Sequence, residues 1–343
     1  MTRTKQTSET RLRAVSIALA LATVLVPAVV GTGLAEAQTF TVLHSFTGYP
    51  DGEWPYAGLV QDAAGNLYGT TVWGGASDVG TVFKLAKTGE ETVLHSFSGY
   101  PDGQYPFAGL VQDAAGSLYG TTEEGGAGAG TVFEVDKSGK ETVLYSFTGT
   151  GGDGAYPWAG LTRDAKGNLY GTTDDGGAHG FGTVFELGKA GKEAVLYSFG
   201  GVYGEYPFAG LVRDAAGNLY GTTYEGGVYD YGTVFRLGKT GKETVLHSFD
   251  NNGSDGVSPL YGYLVVDAAG NLYGTTGYGG TSGYGTVFKL NKAGKETVLH
   301  SFTGGADGEG PSAGLVRDGK GNLYGTASWG GAYGYGTVFE LTP

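Results

Sequence analysis

The chain has 343 residues, 21 Lys and Arg against 34 Asp and Glu, and no cysteine. The net charge of −13 argues against a nucleic-acid partner, since such affinity comes mostly from Lys and Arg neutralising phosphates, and the missing cysteines exclude disulfides and thiolate metal centres. The 68 glycines would suit collagen or a disordered chain, but glycine does not recur every third residue and 40% of the chain is hydrophobic, gathered in short runs.

At the N-terminus, Arg3, Lys5, Arg11 and Arg13 precede an uncharged run from Ala14 to Ala35, broken by Pro27. Ala35-Glu36-Ala37 then supplies a small-x-small cleavage site. Residues 1–37 therefore read as a secretory signal peptide, because the apolar core before Pro27 is short for a membrane span. An uncleaved anchor is the alternative. The expectation is a secreted protein, extracellular or periplasmic, with no membrane attachment after cleavage and a single domain over residues 38–343.

That domain is one unit of about 51 residues repeated six times. Val-Leu-(His/Tyr)-Ser-Phe recurs from Val42, Ala-Gly-Leu or a variant from Ala57, Leu-Tyr-Gly-Thr from Leu67 and Gly-Thr-Val-Phe from Gly80. In the first unit Gly58–Gln61, Leu67–Thr71, Thr81–Leu85 and Thr92–Phe97 carry the Val, Leu, Tyr, Thr and Phe of short strands. Asp62–Asn66, Gly74-Gly75 and Lys87-Thr88-Gly89 separate them as turns. The leading Asp of each Asp62-type turn is expected to accept backbone N–H bonds. Val82 and Phe83 point to opposite faces and are both apolar, so each sheet is expected to be covered on both sides.

Four strands per unit at this period predict an all-β, six-bladed β-propeller. The mature chain opens on a lone fourth strand, Thr41–Phe46, and closes on a unit that lacks one. The expectation is a ring closed by the N-terminal strand, which completes the last blade beside Gly336–Leu341, with the Ala-Gly-Leu strands lining a central channel.

Gly-Asn-Leu-Tyr-Gly-Thr-Thr, the Gly-Gly pair and Gly-Thr-Val-Phe resemble the bacterial GloVer tandem repeat of exported choice-of-anchor proteins, over about residues 40–341. The resemblance implies a bacterial exported protein and brings no catalytic residues with it. Many such proteins end in an anchoring tail, whereas this sequence stops at Glu340-Leu341-Thr342-Pro343. The Asp-x-x-Gly-Asn-Leu-Tyr turns are similar, more weakly, to those of NHL and lactonase-like six-bladed propellers.

Differences among the copies concentrate in two loop sets at one end of the propeller, where binding residues are expected. They carry Trp54, Trp73, Tyr105, Tyr156, Tyr206, Tyr278 and Trp329, with Glu124, Asp175, Glu225 and His179. Rings beside carboxylates can stack on sugar faces and hydrogen-bond hydroxyls, or these side chains pack loop against loop. A second pattern, Asp-Gly, recurs at Asp51, Asp102, Asp153, Asp255 and Asp307 and is read either as a turn or as a set of Ca²⁺ ligands at a channel mouth. His44, His95, His247 and His300 share one strand position with Tyr145 and Tyr197, which points to a structural role. The expectation is a monomeric, non-catalytic propeller that recognises a polysaccharide or surface polymer. The alternative is a carboxylate- or metal-dependent hydrolase, lyase or lactonase acting at the same face.

Overall fold

The computed structural model describes residues 41–342, so the expected signal peptide lies outside the described residues. Blade 1 consists of Val60–Gln61, Leu67–Thr71, Thr81–Leu85 and Glu91–Ser96, hydrogen-bonded in that order as an antiparallel meander. Blades 2 to 5 repeat this arrangement from Val111, Thr162, Val212 and Val265, and blade 6 holds Val316–Arg317, Leu323–Ala327 and Thr337–Leu341. Residues from all six blades border one central cavity. The chain is a six-bladed β-propeller.

The innermost strands are shorter than expected, two residues each. The Ala-Gly before them leaves the ladder to face the axis, and its carbonyl serves the neighbouring blade instead. Thr70 Oγ1 donates to the Ala108 carbonyl at 3.0 Å, Thr121 to Ala159 at 3.0 Å, Thr172 to Ala209 at 3.1 Å and Thr275 to Ala313 at 3.1 Å. The expected turns form as well. Asp62 accepts from the backbone N–H groups of Ala64 and Asn66, both at 2.9 Å, and from the Asn66 amide and the Tyr68 hydroxyl. These bonds, the Asn66 side chain first, hold the Asp62 carboxyl down at about 2.

Burial lies between the blades. One face of blade 1, with Val82, Leu94 and Phe97, packs against Leu110, Leu118 and Phe133 of blade 2. Phe97 meets Phe133 edge-on at 5.1 Å, a contact repeated at each of the next junctions. Glycine in Leu-Tyr-Gly-Thr is required by this packing: a Cβ on Gly120 would lie 2.5 Å from the Phe133 ring.

The closure between blade 6 and blade 1 differs from the expectation. Residues 41–46 carry no strand, and among the described residues the sixth sheet has three strands, so the pairing with Gly336–Leu341 is not made. The segment stays on blade 1, where it makes the contacts that each outer strand makes with the blade after it. Phe46 meets Phe83 edge-on at 5.0 Å, and His44 Nε2 lies 3.1 Å from Asp51. Those contacts are local in sequence. Pairing with Thr337–Leu341 would instead join the two ends of the chain, with no connecting loop to hold them together. Leu59 is consequently 51% exposed and Val338 82% exposed, where their counterparts Leu110 and Val132 are 5% and 0% exposed.

Candidate functional site

At one end of the propeller, each loop from an outer strand to the next blade pairs with that blade's Gly-Gly loop. The pairs are Glu53 with Trp73, Gln104 with Glu124, Glu205 with Glu225 and Glu309 with Trp329. In blades 3 and 5 the pairing lengthens into two-residue ribbons, Gly154–Ala155 with Asp175–Gly176 and Gly256–Val257 with Tyr278–Gly279. Both variable loop sets thus share one face, as the sequence suggests.

At the entry to blades 1 to 4 the aromatic residue before Pro55, Pro106, Pro157 and Pro207 takes a left-handed backbone: φ is 56° at Trp54, 60° at Tyr105, 57° at Tyr156 and 56° at Tyr206. Such a conformation is strained for a bulky residue ahead of proline. Backbone bonds hold it on both sides. Tyr105 N–H donates to Val79 of the preceding blade at 2.9 Å, and its carbonyl accepts from Glu123 N–H at 3.1 Å. The reversal turns the residue after the proline, rather than the one before it, toward the axis.

The axial cavity, about 790 Å³, is therefore rimmed by Tyr56, Phe107, Trp158 and Phe208, and in blade 5 by Tyr261, one position further on. Phe107 stacks on Trp158 at 4.4 Å, Trp158 lies 6.4 Å from Tyr261, and Tyr56 is 6.0 Å from Phe107. Ser312 and Ser328 hydroxyls, 2.9 Å apart, add a polar edge on the blade 6 side. Tyr263 fills the axis beneath. A Cβ at Gly160 would fall 2.2 Å from its hydroxyl and one at Gly210 would fall 2.0 Å from its ring, so only glycine at both positions admits it. Burial pushes the Tyr263 hydroxyl up to about 12, while the Gly160 N–H bonds it. The residue arrives with an insertion in blade 5, which also displaces the carbonyl that Thr222 would have met and leaves its Oγ1 buried without a partner.

Two carboxyls in the Gly-Gly loops at this end of the propeller are perturbed. Burial, and then the charge of Glu124, pushes Glu123 up to about 7. Burial, followed by Asp175 and Glu123, does the same to Asp174, whose Oδ1 is buried and unpartnered. Asp174 also contributes, after burial, to raising the Tyr261 hydroxyl.

The residues singled out in the sequence form a shell around this cavity and do not line it. Trp73 packs on Tyr105 at 4.5 Å and lies 6.2 Å from Trp54. Tyr156 packs into the core between blades 2 and 3, and Tyr206 lies 6.1 Å from Phe181. Glu124 accepts from the Gln104 amide at 2.6 Å, and Asp175 and Glu225 sit in the loop pairings. Tyr278, Trp329 and His179 are exposed. Sequence reasoning missed Tyr56, Phe107, Trp158, Phe208 and Tyr261, and of the variable pairs before Gly-Gly it chose Glu124 and Asp175 over Glu123 and Asp174. The available signal was that the residue after each proline changes from copy to copy while the Ala-Gly behind it is nearly constant.

The Asp-Gly aspartates do not meet at a channel mouth. Each turns back to its own outer strand: Asp51 to His44, Asp102 to His95, Asp255 to His247 and Asp307 to His300, all at 3.1 Å, and Asp153 to the Tyr145 hydroxyl, also at 3.1 Å. Their second task is to cap the loop start, as Asp102 does by accepting from Ser98 N–H at 3.0 Å. That bond fixes the carboxylate away from the axis.

Among solved structures, the chain is similar to a gluconolactonase from Xanthomonas campestris, 15% identical with a TM-score of 0.50, covering 88% of each chain. It is also similar to a putative gluconolactonase solved by a structural genomics consortium, 15% identical with a TM-score of 0.43, covering 77% of this chain and 83% of that one. At this identity the likeness is one of fold alone. No curated protein matches the sequence. The Gloeobacter/Verrucomicrobia repeat matches residues 33–215, 88–268 and 211–343, overlapping spans that take in all six blades, and the chain belongs to that repeat family.

Proposed function

We propose that this protein is an exported binding propeller that takes the end of a glycan or similar extracellular polymer into its axial cavity. The observation that carries the reading is the arc of aromatic residues from blades 1 to 5 around one concave space lined by Ala-Gly segments. Sugar faces stack on such rings, while hydroxyls find partners in carboxyls and serines. Glu123 and Asp174, in the Gly-Gly loops at the same end, are pushed up to about 7 by burial and so can both donate and accept near neutral pH. Tyr263 reaches from blade 5 to Gly160 and Gly210 and narrows the axis, which favours a chain terminus over a threaded polymer. A glycan-array screen of the full chain tests this: binding should fall at least tenfold in Trp158→Ala and little in Trp329→Ala. Equal loss in both variants would move the site out of the cavity.

A second reading, a hydrolase, lyase or lactonase at the same face, is favoured by the two raised carboxyls, since one protonated and one ionised group can serve as acid and base. Product release from a bound glycan that Glu123→Gln or Asp174→Asn abolishes, with binding retained, would establish it over simple binding.

A further inference from the structure

Outside the cavity, the blade junctions bring a second kind of site together. His95 lies one residue before the end of the outer strand of blade 1, Asp102 lies in the loop that follows, and Glu141 opens the outer strand of blade 2. One ligand atom from each lies within 4.8 Å of the others, and the same trio recurs as His44, Asp51 and Glu91 and as His247, Asp255 and Glu296. We propose that these three junctions are divalent metal sites, each taking a Zn²⁺-like ion through one imidazole nitrogen and two carboxylate oxygens.

Three observations support the assignment. His Nε2 and Asp Oδ2 are 3.1 Å apart in each trio. Two ligands on a tetrahedral ion at about 2.0–2.1 Å stand about 3.4 Å from each other. The Oε1 atoms of Glu91, Glu141 and Glu296 are sealed from solvent and have no hydrogen-bond partner, although each faces an ionisable Asp. A cation between them removes both the orphaned acceptor and the like-charge conflict. The aspartates are also preset from behind: Thr47, Ser98 and Asp250 N–H groups donate to Asp51, Asp102 and Asp255 at 3.0, 3.0 and 2.9 Å. One nitrogen and two oxygens with no sulfur form a donor set that divalent first-row ions, zinc among them, accept.

The repeat supplies its own controls. At two junctions tyrosine replaces the imidazole. Tyr145 donates its hydroxyl to Asp153, and Glu193 and Glu243 keep an orphaned Oε1. Burial and nearby carboxylates hold these phenols protonated, so they are poor ligands. The orphaned oxygen alone therefore does not define the site; the histidine does. His300 and Asp307 pair, but no matching glutamate completes them among the described residues.

The test uses the full chain, stripped with EDTA, dialysed against ZnCl₂ at neutral pH and assayed for bound metal by mass spectrometry. The wild type should retain three zinc ions. His95→Tyr should retain two, because tyrosine is what the fold already accepts at that place, and Glu141→Gln should also retain two. The triple variant His44→Tyr, His95→Tyr, His247→Tyr should retain none and lose the zinc-dependent rise in Tm, while melting like the wild type in EDTA. A wild type that binds no zinc, or a triple variant that binds as much as the wild type, overturns the proposal.

Discussion

The junction between blades 2 and 3 and the junction between blades 6 and 1 are written in nearly the same residues and packed to different degrees. In the first, Val132 is 0% and Leu161 3% exposed, and Phe147 meets Phe185 at 5.1 Å. In the second, Val338 is 82% and Leu59 51% exposed, and Thr326 is exposed where Thr121 is buried. A repeat encodes two complementary faces, but burial belongs to the pair of neighbours. Where the chain runs directly from one blade into the next, the linking loop holds the faces together. At the last junction no such link exists, and residues 43–46 follow their own covalent neighbour, blade 1.

The largest effect that sharpens this comparison comes from the core. Phe133→Ala empties a fully buried site and should cost about 3–5 kcal/mol by denaturant unfolding. Val338→Ala should stay within about 0.5 kcal/mol, as for other exposed positions. If Val338→Ala instead costs as much as Val132→Ala, the last junction is packed in solution and the contrast fails.

A smaller effect separates the junctions by pH. Burial at the packed junctions pushes Glu193, aided by Asp153, and Glu243, by burial alone, up to about 7. A folded-state value above the unfolded one means that the folded protein holds these protons longer. The resulting stability is full below about pH 4.5 and is lost as pH rises through about 7. The turn aspartates act in the opposite sense, because Asp62, held near 2, loses its contribution only as pH falls toward that value. Thermal melts should therefore peak between about pH 4 and 5 and decline toward pH 8. Glu243→Gln should flatten that decline, and an unchanged slope would remove Glu243 as its source.

Much of this was legible in the sequence. The strand repeat, the Asp62-type turns and the two-sided burial of Val82 and Phe83 follow from residue type and spacing, which short-range geometry fixes. The site was legible only in part, because alternation assigns sides correctly while the backbone stays extended. The left-handed turn at Tyr105 and its equivalents breaks the extended run, so Phe107 rather than Tyr105 reaches the axis. The insertion that carries Tyr263 into the channel is visible as a broken Ala-Gly-Leu, but its consequence depends on glycines two and one blades away, at Gly160 and Gly210. Closure was misread because identical strands do not have identical partners.

The finest test of the comparison uses one threonine per junction class. Thr121 donates to the Ala159 carbonyl at 3.0 Å; Thr222 is equally buried but its Oγ1 has no partner; Thr326 is exposed. Valine keeps the shape and removes the hydroxyl. Thr121→Val should cost about 1–2 kcal/mol, since it strands a buried carbonyl. Thr222→Val should be neutral or stabilising by a few tenths of a kcal/mol, because it deletes an unsatisfied group rather than a bond. Thr326→Val should change stability by less than about 0.5 kcal/mol. The sign at Thr222 is the decisive reading. A cost there equal to that at Thr121 would mean that the blade 5 insertion leaves the inter-blade bond intact, and the junction between blades 4 and 5 would rank with the regular ones.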